Sequence, residues 1–154
     1  MTPAGSDKKR GVIFIGASMA GKTTLTQFMM RQELRYRKTQ TLSIVGGFII
    51  DTPGEYLERG RMRGALSVAA AEARLIVFLQ SASAPQSFFP PAFASMFGKP
   101  VVGVVTKADT ASQEEIAAAK RRLLCAGVER TFVTSAYTGD GIQALIDFIE
   151  SVDR

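Results

Sequence analysis

A lysine set between glycines and hydroxyls is the first place where this chain could do chemistry. Gly16-Ala17-Ser18-Met19-Ala20-Gly21-Lys22-Thr23 fits the spacing G-x-x-x-x-G-K-[ST]. Glycine at both ends lets the backbone bend so that successive N–H groups point at phosphate oxygens. The positive end of a following helix adds to this cradle. Lys22 would reach the β- and γ-phosphates, the Thr23 hydroxyl would coordinate Mg²⁺, and Thr24 would complete the phosphate-facing run. At average glycine usage the string arises by chance in roughly one chain of this length in two hundred. An apolar strand pattern before it and a helical pattern after it suit the same reading.

Three later strings extend the site. Asp51-Thr52-Pro53-Gly54 follows an apolar run. A carboxylate there can hold Mg²⁺ through water, and the Gly54 amide can reach the γ-phosphate. D-x-x-G by itself is common, so its value lies in its place at a strand end downstream of the cradle. Thr106-Lys107-Ala108-Asp109 follows Val101–Val105. The Asp109 carboxylate can accept hydrogen bonds from N1–H and the 2-amino group of guanine, an edge adenine does not offer. By analogy with base readout in DNA, such a bidentate pair is worth about 1–3 kcal/mol of discrimination. The Lys107 stem can pack on the flat base. Ser135-Ala136 follows the last apolar run, and its backbone N–H groups are candidates to bind the guanine carbonyl. Each string falls at the carboxyl end of an expected strand, where open α/β sheets bind ligands.

Composition narrows the alternatives. The 154 residues contain no histidine and one cysteine, Cys125. That excludes a histidine general base, Ser-His-Asp or Cys-His machinery, a Cys/His zinc site and an internal disulfide. Length, 46% hydrophobic content and 21% charged content suit one globular domain. Net charge is +5, but residues 1–63 hold eleven basic against five acidic residues, and the remainder is close to neutral. A solvated basic face, nucleic-acid binding and attraction of a small polyanion are the three readings of that excess. Without interleaved aromatics or a reading motif, nucleic acid is not expected. The phosphate cradle favours the polyanion. Lys8-Lys9-Arg10 and the uncharged run after it imitate a signal peptide, but that run continues into the cradle. A soluble, cytoplasmic protein is expected, with residues 1–10 as a tail and 11–154 as the domain.

The elements that must position these residues alternate between short apolar runs and helical patterns, the signature of stacked βαβ units. Strands are expected at 11–16, 41–45, 48–51, 75–80, 101–106 and 131–134, with Gly46-Gly47 as a tight turn between the second and third. Helices are expected at 21–35 with Leu25, Phe28 and Met29 inward, and at 57–72. A short one should start at Pro90 or Pro91 after a loop ending near Phe89, with the cluster Phe88, Phe89, Phe93 and Phe97 in the core. Ser112 and Glu115 form a capping-box pattern ahead of Ile116, Ala119, Leu123 and Leu124. Ile142, Leu145, Ile146, Ile149 and Val152 trace one face of a terminal helix. Cys125, at a helix end among apolar neighbours, reads as a core residue.

Together GASMAGKT, DTPG, TKAD and TSA resemble the first, third, fourth and fifth elements of the Ras-like P-loop GTPase superfamily, over about residues 10–153. Arg37-Lys38-Thr39-Gln40 followed closely by Ile50-Asp51-Thr52-Pro53-Gly54-Glu55-Tyr56 further resembles the EutP/PduV family. The resemblance implies a three-layer αβα fold with a mostly parallel sheet of about six strands and one antiparallel edge strand. It also implies a small cytoplasmic NTPase linked to ethanolamine- or propanediol-utilising bacterial microcompartments. Thr39 becomes the switch threonine that caps Mg²⁺, with Thr41 as the less favoured candidate. The switches fall at 35–41 and 54–63.

Departures from the common pattern bear on mechanism. Glu55 stands where many GTPases place a glutamine. It either acts as a general base with a raised pKa, or hydrolysis is slow and another residue positions the water. Thr106 replaces the commoner asparagine and has a shorter reach. Only 35 positions separate Gly16 from Asp51, so the first switch is short. Arg37, two residues before Thr39, is a candidate internal arginine finger or a solvated side chain. Three functions are compatible with these residues. One is a Mg²⁺-dependent GTP-binding switch with slow hydrolysis. Another is an ATP-dependent phosphotransferase to a short carboxylate such as acetate, for which no second acid-binding site is evident. The third is a non-catalytic, nucleotide-dependent adaptor that docks on a compartment shell or its enzymes.

Overall fold

The computed structural model describes residues 11–16, 24–25, 27–28, 49–52, 71, 73–84 and 89–152. Five strands form one sheet in the order β2-β1-β3-β4-β5, every neighbouring pair parallel. They are β1 (Gly11–Ile15), β2 (Ile49–Thr52), β3 (Ala73–Ser81), β4 (Val101–Thr106) and β5 (Thr131–Val133). Helix α1 spans Gln113–Cys125 and helix α2 spans Ile142–Val152. Thr24, Leu25, Gln27 and Phe28 are also helical. The expected antiparallel edge strand at 41–45, Phe88, Met29, the tail at 1–10 and the helix at 57–72, except for Ala71, lie outside the described residues; Ala71 is in a turn.

Strand side chains alternate between two faces, and both faces are covered, as a parallel sheet requires. Ile13, Ile15, Ile76, Phe78, Val101 and Val105 point to the side of α1, where Ala119 and Leu123 meet them. Val12, Phe14, Leu75, Val77, Val102 and Val104 point to the side of α2, where Leu25 joins Ile142, Leu145, Ile146 and Ile149. The result is the expected three-layer αβα arrangement. Glycine interrupts the valines of β4 because α1 passes close by. A Cβ on Gly103 would stand 2.9 Å from Leu123 Cδ1.

Helix α1 starts as its capping box requires. The Ser112 hydroxyl accepts from the Glu115 amide at 3.1 Å, and the Glu115 carboxylate accepts from the Ser112 amide at 2.9 Å. Its end departs from expectation. Leu124 is 53% exposed and Cys125 is exposed. Ala119, Leu123 and Ala126 hold the buried stripe, and residues 124 and 125 turn away from it by the helical step.

The segment before β4 also differs. The short helix is a 3₁₀ turn over Phe93–Met96, and it begins after Ala92 in the left-handed region at φ 60°. The reason is tertiary. The Ala92 and Ala94 amides donate to the Cys125 and Ala126 carbonyls, which α1 leaves without intrahelical partners. Phe89 stacks on Phe78 with ring centroids 4.4 Å apart, and Phe93 and Phe97 complete a buried aromatic group.

Candidate functional site

Parallel pairing brings the carboxyl ends of all five strands to one edge of the sheet. Gly16 is buried at the end of β1. Helical residues Thr24 and Leu25 resume beyond the cradle string, so the string connects a strand end to a helix. Asp51 sits near the end of β2 and pairs in register with Phe14, two residues before Gly16. That places its backbone beside the start of the cradle. Ala17, Ser18, Met19, Ala20, Gly21, Lys22 and Thr23 lie outside the described residues, as do Arg37, Thr39, Gly54 and Glu55.

The other half of the site is described in full. Thr106, 4% exposed, ends β4. Lys107 then takes a left-handed conformation at φ 60°, ψ 35°, which turns the chain sharply into a 3₁₀ turn over Ala108–Thr110. The Thr110 hydroxyl donates to the Lys107 carbonyl at 3.0 Å and secures that turn. A non-glycine residue in this region is strained, a state held by its surroundings and often found at functional sites.

The turn is tied to the segment after β5. The Ala108 amide donates to the Thr134 carbonyl at 3.1 Å, and the Thr134 amide and hydroxyl donate to the Val105 carbonyl at 2.8 and 3.0 Å. Ser135, 1% exposed, donates its hydroxyl to Asp109 Oδ1 at 2.6 Å. The exposed Asp109 carboxylate is thus held in one place by a buried hydroxyl. Threonine-lysine-alanine-aspartate and threonine-serine-alanine, far apart in sequence, become one surface.

That surface carries a cavity of about 190 Å³. Leu25, Thr106 and Thr134 form its buried lining, Lys107 and Ala136 are half-buried, and Thr24, Asp109, Thr110 and Tyr137 are exposed around it. Pockets for drug-sized ligands run to roughly 300–1,000 Å³. This one suits a single planar heterocycle. Its polar equipment is a carboxylate acceptor at Asp109 and an amide donor at Ala136, whose N–H has no acceptor among the described residues.

The expected role of the Ser135 amide is corrected by this geometry. Ser135 N–H donates to the Asp140 carbonyl at 3.0 Å and is not available to a ligand. The hydroxyl, which orients Asp109, is what Ser135 contributes. Gly141 makes that loop possible. At φ 77° a Cβ there would stand 2.0 Å from the Val133 carbonyl oxygen. Sequence reasoning missed Tyr137 and Thr110 as cavity residues. The signal for Tyr137 was an aromatic placed directly after Ser135-Ala136 in a loop of small residues.

Among the described residues, no three carboxylates, histidines or cysteines cluster as a metal site. A Mg²⁺ held at a phosphate cradle needs no such cluster. It keeps several waters and uses one or two protein oxygens with the phosphates. Asp51, whose backbone lies beside the cradle's start, is the residue type that pattern calls for. No helix among the described residues is long and apolar enough to cross a membrane.

The family model described as ethanolamine utilisation–propanediol utilisation, PduV-EutP, matches residues 9–151. The chain is 41% identical over 140 residues to the propanediol utilization protein PduV of Citrobacter freundii, covering 91% of this chain and 93% of that protein. It is 28% identical over 145 residues to a protein of Escherichia coli strain K12 named probable acetate kinase EutP, covering 93% and 91%. Among solved structures, translation elongation factor SelB from Methanococcus maripaludis, in complex with the GTP analogue GPPNHP, superposes with a TM-score of 0.65 at 21% identity. The match covers 94% of this chain and 33% of that factor, so this chain spans about a third of its length. The FeoB G-domain from Methanococcus jannaschii superposes with a TM-score of 0.63 at 20% identity, covering 94% and 97%. At these identities the structural matches carry the fold alone, that of P-loop GTPases.

Proposed function

The chain belongs to the ethanolamine utilisation–propanediol utilisation family, PduV-EutP, and from that premise we propose a small Mg²⁺-dependent guanine-nucleotide-binding protein that hydrolyses GTP slowly. The observation that carries the reading is the base-sized cavity with Asp109 at its rim, held by the Ser135 hydroxyl at 2.6 Å. A fixed carboxylate accepts from N1–H and the 2-amino group of guanine, and the Ala136 amide donates to O6. Adenine presents neither donor at that edge.

Phosphates extend from this base toward Gly16 and the cradle. Backbone amides of 17–23, Lys22 and Thr24 would hold them, and Thr23, Thr39 and Asp51 would hold Mg²⁺. When bound, the ion neutralises charge that builds on the phosphate oxygens. The chain's own part is positioning and electrostatic stabilisation by Lys22 and the Gly54 amide. Glu55 in place of a water-orienting amide makes turnover slow. The protein works in the cytoplasm with shell or enzyme proteins of a microcompartment as partners, its two switch segments reporting nucleotide state.

Calorimetric titration of nucleotide-free protein with GDP and GTP against ADP and ATP, in Mg²⁺, tests the reading. The expected result is guanine preference of about tenfold or more. Equal or tighter ATP binding refutes Asp109 as a base reader.

A second reading has specific support in the name of the Escherichia coli relative, probable acetate kinase. There the carboxylate oxygen of acetate attacks the γ-phosphorus. The bond to the β–γ bridging oxygen breaks, and acetyl phosphate and nucleoside diphosphate leave. Hydroxylamine trapping of acyl phosphate from ATP and acetate decides between the two, because hydrolysis alone produces no hydroxamate.

A further inference from the structure

At the edge of the sheet opposite the candidate site, one charged side chain joins two strands at their starts. Lys99 is half-buried and stands two residues before β4. Its ammonium donates to the Ala71 carbonyl at 2.7 Å and to the Ala73 carbonyl at 2.5 Å. Ala71 lies in a turn, and Ala73 begins β3. The strand ladders are incomplete at this point. Pairing of β3 with β4 starts only at Ile76, and the register of β3 against β1 shifts between Ala73 and Leu75. Lys99 therefore holds the entry to β3 where the ladders do not. The first backbone bond to β4 follows directly, with the Ile76 amide donating to the Pro100 carbonyl at 3.1 Å.

The chain between β2 and this anchor, residues 53–70, includes Gly54 and the expected second switch at 54–63. Its leading end is fixed by β2, where Asp51 pairs in register with Phe14. Its trailing end is fixed by Lys99 at Ala71 and Ala73. We propose that Lys99 is a positioning residue for the γ-phosphate: by pinning the trailing end, it lowers the entropy lost when Gly54 engages that phosphate. The proposal rests on the nucleotide-binding reading above. A segment with one loose end has more backbone to order, and each further residue ordered costs about fivefold or more in affinity. A diphosphate makes no γ-phosphate contact, so this cost falls on the triphosphate alone. Linkage makes the effect reciprocal, and a bound triphosphate in turn tightens the anchor.

The test uses the full chain in Mg²⁺ with GPPNHP and GDP. In the wild type, backbone amides at 71–75 are expected to exchange hydrogen more slowly with GPPNHP bound than with GDP bound. Lys99→Met keeps an apolar stem and loses the ammonium. Its GPPNHP affinity is expected to fall about fivefold or more, with GDP affinity as in the wild type. Glu129 shares the lining of a cavity of about 490 Å³ with Lys99, and Glu129→Gln is expected to keep both affinities.

Equal exchange at 71–75 in the two wild-type complexes overturns the proposal, and that measurement stands even where Lys99→Met does not fold. An unchanged ratio of GPPNHP to GDP affinity in Lys99→Met also overturns it, since an equal loss on both probes marks a merely structural lysine. So does the same loss in Glu129→Gln. A wild type that prefers ADP to GDP refutes the guanine reading alone, because the comparison of triphosphate with diphosphate then runs on AMPPNP and ADP. A wild type that binds no nucleotide overturns both.

Discussion

Replacing Ser135 by alanine removes one oxygen atom and separates two quantities that usually change together. The Ser135 hydroxyl is buried, donates to Asp109 Oδ1 at 2.6 Å and accepts from the Thr138 amide at 3.1 Å. Hydrogen bonds to charged groups contribute about 1.5–3 kcal/mol and neutral ones about 0.5–1.5 kcal/mol. Asp109 is exposed, so its freed carboxylate regains water and little of the larger figure appears in folding. The folding loss is then set by the Thr138 contact, about 1 kcal/mol, or roughly 2–4 °C in melting temperature for a domain of this size. Binding suffers separately. An unclamped Asp109 has to be ordered by the ligand, at about 0.5–1.5 kcal/mol per immobilised side chain, which weakens GDP roughly twofold to twelvefold. Calorimetry of Ser135→Ala with GDP and with tripolyphosphate, alongside thermal melts, measures both parts. The loss should fall on GDP and spare tripolyphosphate. GDP binding equal to wild type would refute the clamp, and an equal loss on both probes would show a disordered loop instead.

Asp109→Asn exchanges one acceptor for an amide donor, so preference should move from guanine toward xanthine, which carries an oxygen at C2. Competition between GDP and xanthosine diphosphate measures it, with a shift of about 1–3 kcal/mol expected. Gly103→Ala forces a methyl against Leu123 and should destabilise by about 1–3 kcal/mol in urea unfolding, with base preference unchanged. Lys107→Gly should be about 0.5–1 kcal/mol more stable than Lys107→Ala, because glycine occupies φ 60° without strain. Both should bind nucleotide more weakly than wild type, through loss of the stem against the base.

Much of the fold is legible in the chain because local patterns and tertiary demands agree. Buried strands such as Val101–Thr106 read as apolar runs since both faces are covered. The Ser112–Glu115 box marks the start of α1 through bonds three residues apart. The misreadings share one physical origin, contacts made across the chain. Pro90-Pro91 suggests a helix start, but the Ala92 and Ala94 amides are drawn to carbonyls at the far end of α1. Cys125 looks apolar by its neighbours, and the helical phase set by Ala119 and Leu123 turns it outward. In the site, Thr106, Lys107, Asp109 and Ala136 were identifiable from short strings. The division of Ser135 into a committed amide and an orienting hydroxyl was not, since it depends on Asp140 and Asp109 meeting in space.

The bond from the Ala108 amide to the Thr134 carbonyl joins the two strings that line the cavity without using a side chain. Substitutions in this region therefore fall into two kinds. That bond does not depend on the side chain at 108, whereas at 134 the buried hydroxyl also belongs to the frame through its bond to the Val105 carbonyl. Lys107, Asp109 and Tyr137 project from that frame and are not among its buried residues. Substitutions at Asp109 or Tyr137 therefore alter the rim of the cavity and leave the buried residues beneath it in place.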